Sequence, residues 1–206
     1  MAQVIHDLSP ENSTLILENC NEFAEDISKG LSERPKFIPA VYHYDDRGSR
    51  LFGKITQLTE YYLTRSETEA LRINKERIAD LLTDSPINLV EFGPGDGRKT
   101  GRLIEYLLKR EINFRYVPVD ISQLALECLI KDFGSRFPDL HVDGLATEYF
   151  AGIDWLNDRG NQKNLVLFLG SSIGNFSSEE TMSFLSCLWN SLNDRDVVII
   201  GFDLKK

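Results

Sequence analysis

The sequence predicts an α/β protein built on an open parallel sheet, with a helical segment in front of it. From residue 88 onward, five short apolar runs alternate with amphipathic segments of helix length. This alternation is typical of parallel strands whose connecting helices cover both faces of the sheet. Before residue 85 the apolar spacing is that of helices. We therefore divide the chain into a helical N-terminal extension, residues 1–84, and an α/β domain, residues 85–206.

The extension contains two predicted helices and a loop. Residues 11–31 are expected to form a helix that ends near Gly30. A loop is predicted for residues 32–50, because prolines and a glycine interrupt any regular pattern there. Thr64 and Glu67 have the spacing of a capping box, which predicts a helix from there to about residue 82. We expect the extension to lie over the carboxyl edge of the sheet, where ligands bind in open α/β folds.

The α/β domain is expected to contain five strands. The predicted strands cover residues 88–92, 115–119, 140–145, 164–169 and 196–202. The helices between them are clearest at residues 98–110, 121–133 and 178–192. Ser177 and Glu180 form a second capping-box pattern at the start of the last helix.

Closely spaced glycines follow the first predicted strand of the domain. Gly93, Gly95 and Gly97 allow a tight turn and a close approach of a ligand to the backbone. Arg98 stands where a dinucleotide fingerprint requires glycine, and the Gly-Lys-Ser/Thr ending of a phosphate loop is absent. The pattern acidic-x-Gly-x-Gly-x-Gly instead resembles the first motif of Rossmann-like S-adenosylmethionine methyltransferases. A purely structural turn is the alternative for such a cluster.

Acidic residues also stand at the ends of the next two strands. Asp120 follows the second strand and is placed to accept hydrogen bonds from ribose hydroxyls. The alternative is that it only caps the helix that begins near Ile121, and one carboxylate could do both. Glu148 and Tyr149 follow the third strand and could hold the amino edge and the face of an adenine. The alternative is that both are exposed turn residues without a role in ligand binding.

Charge and composition argue against several other functions. The net charge of -9 disfavours nucleic acid and anionic membranes as partners. The N-terminus lacks a signal peptide and no run is long enough to span a membrane, so we expect a cytoplasmic protein. Scattered histidines give no metal-site spacing. Residues 170–174 match Gly-x-Ser-x-Gly, but without a suitable histidine an esterase is disfavoured.

Four blocks of the sequence together point to a known family. They are Tyr42–Phe52, Glu60–Glu67, Glu91–Thr100 and Phe168–Phe176. These blocks resemble the histidine-specific Nα-methyltransferases of ergothioneine biosynthesis. The resemblance implies a class I, Rossmann-like methyltransferase sheet and S-adenosyl-L-methionine as cofactor, with S-adenosyl-L-homocysteine as product. It also implies a small amino acid as substrate, with methylation at its α-amine, most simply that of histidine.

The resemblance also assigns roles to individual residues. It implies a cofactor-binding set at Gly93, Gly95, Lys99, Asp120, Glu148 and Tyr149. It implies a substrate-binding set at Tyr44, Tyr61 and Asn175. The family usually has Asp-Phe where this chain has Glu148-Tyr149. Alternatives remain open for three of these residues: a solvated surface lysine at 99, a core tyrosine at 61 and a turn asparagine at 175.

The chain stops where members of the family continue with two more strands and an inserted substrate-binding region. We therefore expect a sheet truncated after the fifth strand, in the order 3-2-1-4-5, and a cofactor-binding but catalytically incomplete fragment is the alternative function. Residues 196–202 would then form an apolar edge strand. We expect the 206-residue form to self-associate through this edge, and a longer form to be monomeric.

Overall fold

The protein contains a six-stranded parallel sheet with helices on both faces. The computed structural model describes residues 3–8, 20–44, 46–82, 86–157 and 162–204. The strands are β1 (Gln3–Asp7), β2 (Ile87–Phe92), β3 (Phe114–Asp120), β4 (His141–Ala146), β5 (Lys163–Phe168) and β6 (Val197–Ile200). Their order is β1-β4-β3-β2-β5-β6. The predicted order of the five domain strands is thus confirmed.

Seven α-helices lie within the described residues. They are α1 (Cys20–Ser32), α2 (Asp46–Ile55), α3 (Leu63–Asp80), α4 (Arg98–Lys109), α5 (Gln123–Arg136), α6 (Tyr149–Asn157) and α7 (Ser178–Ser191). Short 3-10 helices cover Ala40–His43 and Ser172–Asn175. The capping box predicted at Ser177 and Glu180 is present at the start of α7. Among the described segments, no helix combines the length and apolar character needed to cross a membrane.

The sheet is buried on both faces, which explains the nearly continuous apolar strands. One cluster packs α3, α4 and α5 against residues such as Leu89 and Tyr116. The other packs α6 and α7 against residues such as Val90 and Phe168. Alternate side chains along each strand therefore enter opposite cores. The sheet fixes the relative positions of its strand ends, where the predicted site residues lie.

The structure corrects several expectations for the extension. Residues 3–7 form β1, which pairs with β4 at the edge of the sheet, so the extension is not wholly helical. Helix α1 continues through Gly30 to Ser32, and α2 occupies part of the predicted loop. Residues 11–19 of the first predicted helix lie outside the described residues.

The capping box predicted at the start of α3 is also wrong. The cap position of α3 is Tyr62, and no side-chain capping bond is present there. The carboxylate of Glu67 bonds to the α/β domain instead of to its own helix. The sequence pattern was therefore correct about the helix and wrong about the partner of its glutamate.

Candidate functional site

The glycine loop connects β2 to α4 in a conformation that favours glycine. Gly93, Gly95 and Gly97 all have left-handed backbones, with φ of 67°, 59° and 66°. A side chain at Gly93 would place its Cβ 3.1 Å from the Tyr149 hydroxyl, whereas a Cβ on Gly95 would have no atom of a described residue within 4 Å apart from its chain neighbours. Both the backbone angles and this close approach explain the glycines. The predicted tight turn is confirmed.

A buried carboxylate holds the base of this loop. Glu91, in β2, is 1% exposed and accepts hydrogen bonds from Thr100 Oγ1 at 2.6 Å and Tyr116 Oη at 2.5 Å. Burial raises the pKa of Glu91, and the two hydrogen bonds oppose that rise. Because Thr100 belongs to α4 and Tyr116 to β3, Glu91 fixes the helix that follows the loop against two strands. Its role in the acidic-glycine motif is therefore to position the loop.

Asp120 ends β3 beside this loop. Its Oδ1 accepts a hydrogen bond from the Ser122 amide at 3.0 Å, and the cap of α5 is Ser122, whose hydroxyl accepts from the Ala125 amide. The capping alternative for Asp120 is thus wrong. Burial raises its pKa to about 6, while backbone hydrogen bonds from Ser122 and Ile121 oppose the rise. A half-buried carboxylate that accepts from backbone amides is a group suited to ligand hydroxyls.

The end of β4 supplies a third polar group, and here the structure differs from the expected geometry. Glu148 is exposed, but Tyr149 packs edge-on against Phe92 and Phe168 in the core. Tyr149 therefore presents its hydroxyl to the glycine loop, and burial raises the pKa of that hydroxyl. The adenine role of this pair stays a prediction.

Thr147 is a candidate site residue that the sequence did not suggest. It is 3% exposed, and its hydroxyl has no hydrogen-bond partner within the described residues.

The predicted substrate residues meet at the same edge. Asn175 Nδ2 donates a hydrogen bond to the Tyr44 hydroxyl at 2.7 Å, although the two residues are 131 positions apart. Burial raises the pKa of Tyr44, as does the nearby charge of Asp120, while the bond from Asn175 lowers it. Burial also raises the pKa of Tyr61, with smaller contributions from Glu67 and Tyr44. The pKa of Tyr44 responds to Asp120 and that of Tyr61 responds to Tyr44, which supports the proximity of these groups.

The turn between β5 and Asn175 contains a strained residue. Ser171 has φ of 57°, in the left-handed region that is uncommon for residues other than glycine. Its hydroxyl accepts a hydrogen bond from the Asp203 amide at 3.0 Å. Local backbone strain is frequent at ligand sites, where the surrounding structure maintains it. The strained turn brings Asn175 to the extension.

Lys99 has a partner that the sequence analysis did not identify. Its Nζ lies 2.7 Å from Glu67 Oε2, and the side chains are 16% and 15% exposed. The alternative of a solvated surface lysine is therefore wrong. A contact of Lys99 with the cofactor carboxylate stays a prediction.

The extension makes a further contact that sequence spacing does not reveal. The Tyr62 hydroxyl donates a hydrogen bond to Asp203, which follows β6.

The residues at this edge fit a nucleotide cofactor. The glycine loop leaves the backbone accessible at Gly95, and Asp120 offers a half-buried acceptor at the neighbouring strand end. In an open α/β fold the crevice between these two strand ends is the usual binding place for such a cofactor. No cluster of metal-binding side chains is found among the described residues. Fold and site together define a Rossmann-like nucleotide-cofactor domain.

Comparison with known proteins identifies the family. The family described as "Histidine-specific methyltransferase, SAM-dependent" matches residues 23–206. The chain belongs to this family. A histidine N-alpha-methyltransferase of Mycolicibacterium smegmatis is 33% identical over 181 residues, which cover 88% of this chain and 55% of that protein. The likeness to the histidine-specific family that the sequence blocks suggested is thus confirmed.

Two further relatives have other names. Ergothioneine biosynthesis protein 1 of Neurospora crassa is 33% identical over 171 residues, covering 82% of this chain and 19% of that protein. A 4-dimethylallyltryptophan N-methyltransferase of Claviceps purpurea is 30% identical over 170 residues, covering 81% of this chain and 49% of that protein. The chain spans about half the length of the histidine N-alpha-methyltransferases it matches.

Proposed function

We propose that this chain binds S-adenosylmethionine and takes part in methyl transfer to the α-amine of an amino acid, with histidine as the first candidate. The observation that carries the proposal is the meeting of two residue sets at one sheet edge. The glycine loop and Asp120 form one set, and the hydrogen-bonded pair of Tyr44 and Asn175 forms the other. The electrostatic effect of Asp120 on Tyr44 supports their proximity.

The cofactor set is expected to hold the adenosyl group. Asp120 would accept hydrogen bonds from the ribose hydroxyls, and the glycine loop would let the cofactor approach the backbone. Lys99 keeps two of its three ammonium donors for an anionic group, since Glu67 accepts one. The bound cofactor supplies a methyl group on a positively charged sulfur.

The substrate set is expected to hold a neutral amine. Because Asn175 Nδ2 donates to the Tyr44 hydroxyl, Asn175 Oδ1 remains as an acceptor for an amine N–H. The Tyr44 hydroxyl is protonated at neutral pH, since the ordinary pKa of 10.0 already lies well above 7 and partial burial raises it. Neither group adds charge, so the amine can keep the lone pair that attacks the methyl carbon. Alignment of these reactants contributes more to such a displacement than any strong acid or base.

A titration followed by an assay tests the proposal. Isothermal titration calorimetry with S-adenosylmethionine should show one site, and a radioactive methyl-transfer assay with histidine should show turnover. Tryptophan serves as the second substrate, because one relative is named for a tryptophan derivative. Binding without turnover on either amino acid would favour the second candidate, a cofactor-binding but catalytically incomplete unit, which the share of the relatives covered by this chain supports. Absence of cofactor binding would refute both.

The proposal also covers the partner, the cellular location and the oligomeric state. The partner is a small amino acid and not a nucleic acid, which the net charge of -9 supports. A cytoplasmic location agrees with a substrate drawn from free amino acids. A monomeric longer form and a self-associating 206-residue form stay predictions.

A further inference from the structure

The carboxylate of Glu67 connects the extension to the α/β domain at three points. Glu67 lies in the second turn of α3, and its side chain is 15% exposed. The Gly170 amide donates to both carboxylate oxygens, at 2.7 and 2.9 Å. Lys99 Nζ, at the start of α4, donates to Oε2 at 2.7 Å. A largely buried carboxylate that accepts from an ammonium group and from a backbone amide is held in one position.

The third point of contact is a glycine that makes room for the carboxylate. A Cβ on Gly201, just after β6, would lie 2.0 Å from Glu67 Oε1. The φ of Gly201 is outside the left-handed region, so the backbone itself would accept alanine. The requirement for glycine at 201 is therefore one of space. The ends of β5 and β6 together form a slot that the Glu67 carboxylate fills.

Glu67 lies between the two halves of the site. On one side, Tyr61 and Tyr62 directly precede α3, and the Arg65 guanidinium holds the Tyr61 carbonyl at 3.2 Å. On the other side, Lys99 follows the glycine loop in the first turn of α4. A shift of Glu67 would therefore move the start of α3 and remove the partner of Lys99 at the same time.

We propose that Glu67 is a positioning residue that couples the amino-acid pocket to the cofactor pocket. Its carboxylate, seated between Gly170 and Gly201, fixes the start of α3 and so the tyrosines before it. Its pairing with Lys99 aims the free ammonium donors at an anionic group of the cofactor. This inference rests on the proposed function. It adds Glu67, which contacts other residues of the protein, to the residues that are proposed to contact the ligands.

Four variants separate the position of this carboxylate from its charge. Glu67→Gln keeps the size and removes the charge, whereas Gly201→Ala keeps the charge and blocks the slot. The double variant Glu67→Ala/Gly201→Ala removes the clash, and Glu67→Ala alone is its reference. Affinities are measured by calorimetry, for S-adenosylhomocysteine alone and then for histidine added to the saturated protein.

We expect Glu67→Gln and Gly201→Ala each to weaken both affinities by about tenfold, the effect of losing one charge-assisted hydrogen bond. Adding Gly201→Ala to Glu67→Ala should change them by no more than about twofold, because the clashing group is gone. Glu69→Gln, on the exposed face of the same helix, is the control and should match the wild type. Asn164→Ala, far from this edge, controls for lost stability.

The outcomes distinguish this inference from the proposed function. Folded Glu67→Gln and Gly201→Ala proteins with wild-type affinities would overturn the inference and leave the function standing. Equal weakening by Asn164→Ala would also overturn it, since general destabilisation would then explain the effect. A wild-type chain that binds neither ligand would overturn the function and this inference with it.

Discussion

The two edges of the sheet use polar residues in opposite ways. At the amino edge a continuous series of hydrogen bonds crosses the strands. Asp143 accepts from Arg115, Arg115 donates to Asn88 at 2.6 Å, and Asn88 donates to Asn164 at 2.8 Å. Asn164 then donates to Asp196 at 2.9 Å. The two asparagines are only 1% exposed.

At the carboxyl edge, Glu67 and Glu91 have donors within the protein, but other polar groups are less completely satisfied. Asp120 is half-buried, its carboxylate accepts from the backbone amides of Ser122 and Ile121, and its pKa rises to about 6. The Thr147 hydroxyl has no hydrogen-bond partner in the described part of the chain. Ser171 has a strained backbone at the same edge.

The difference is the one expected if the amino edge serves the fold and the carboxyl edge serves the proposed ligand. Buried polar groups normally find partners within the protein, as they do at the amino edge. Groups that are buried without such partners cost stability, so their retention supports the proposed ligand site at the carboxyl edge. Variants at the two edges should therefore have opposite effects on stability and on binding.

The largest effect on stability is expected at the amino edge. Asn164→Ala leaves the buried Asn88 amide without its acceptor and removes one donor from the Asp196 carboxylate, which keeps the Asn164 and Asn193 amides. The two losses should lower the free energy of unfolding by about 4 kcal/mol. Urea unfolding followed by circular dichroism measures the loss. Asn190→Ala, on the exposed face of α7, is the control. A loss below about 1 kcal/mol would show that this series of bonds does not stabilise the sheet.

Asp120→Asn is expected to raise the free energy of unfolding, whereas Asn164→Ala lowers it. The folded pKa of about 6 lies above the ordinary 3.8, so the folded state binds the proton more tightly than the unfolded state. Wild-type stability therefore falls as pH rises from about 4 to about 6, by about 3 kcal/mol. Asp120→Asn should be more stable than wild type by about that amount at pH 7.5, and the gap should close near pH 4. Parallel stability curves for the two proteins would contradict the raised pKa.

Cofactor affinity should respond to the same position. Asp120→Ala removes the proposed acceptor of the ribose hydroxyls, and one charged hydrogen bond contributes about 1.5–3 kcal/mol. Calorimetry with S-adenosylhomocysteine should show affinity reduced about ten- to hundredfold. Asn164→Ala should retain wild-type affinity. An unchanged affinity in folded Asp120→Ala would remove Asp120 from the site.

A smaller effect is expected for the substrate set. Asn175→Ala and Tyr61→Phe should each weaken histidine binding to the cofactor-saturated protein by about five- to tenfold, the effect of one neutral hydrogen bond. Cofactor affinity should stay within about twofold. Tyr42→Phe, which loses a bond to Asp26 in the same extension, is the control. Loss of cofactor binding in either folded variant would contradict the division of the edge into two sets.

Sequence patterns predicted the parts of this molecule that depend on local periodicity or backbone angles. The order of the domain strands, the glycine loop and the capping box of α7 are such features. Long-range partners were not predictable in the same way. Glu67 had the spacing of a cap, yet its carboxylate bonds to Gly170, 103 positions away. β1 was missed because a strand of five residues, Gln3–Asp7, carries too little alternation to identify.

The last prediction concerns β6, the outermost strand next to β5. The Gly201 amide donates to the Phe168 carbonyl, so by alternation the amides of 198 and 200 point away from β5. Residues 197–200 are apolar and half-buried, and Phe202 beyond them is 64% exposed. An open edge without charge or proline recruits other strands. The 206-residue chain should therefore show concentration-dependent association by size-exclusion chromatography with light scattering. Val198→Pro should reduce it without removing a bond to β5, whereas Val198→Thr should not. A wild-type monomer at all concentrations would show that this edge is protected.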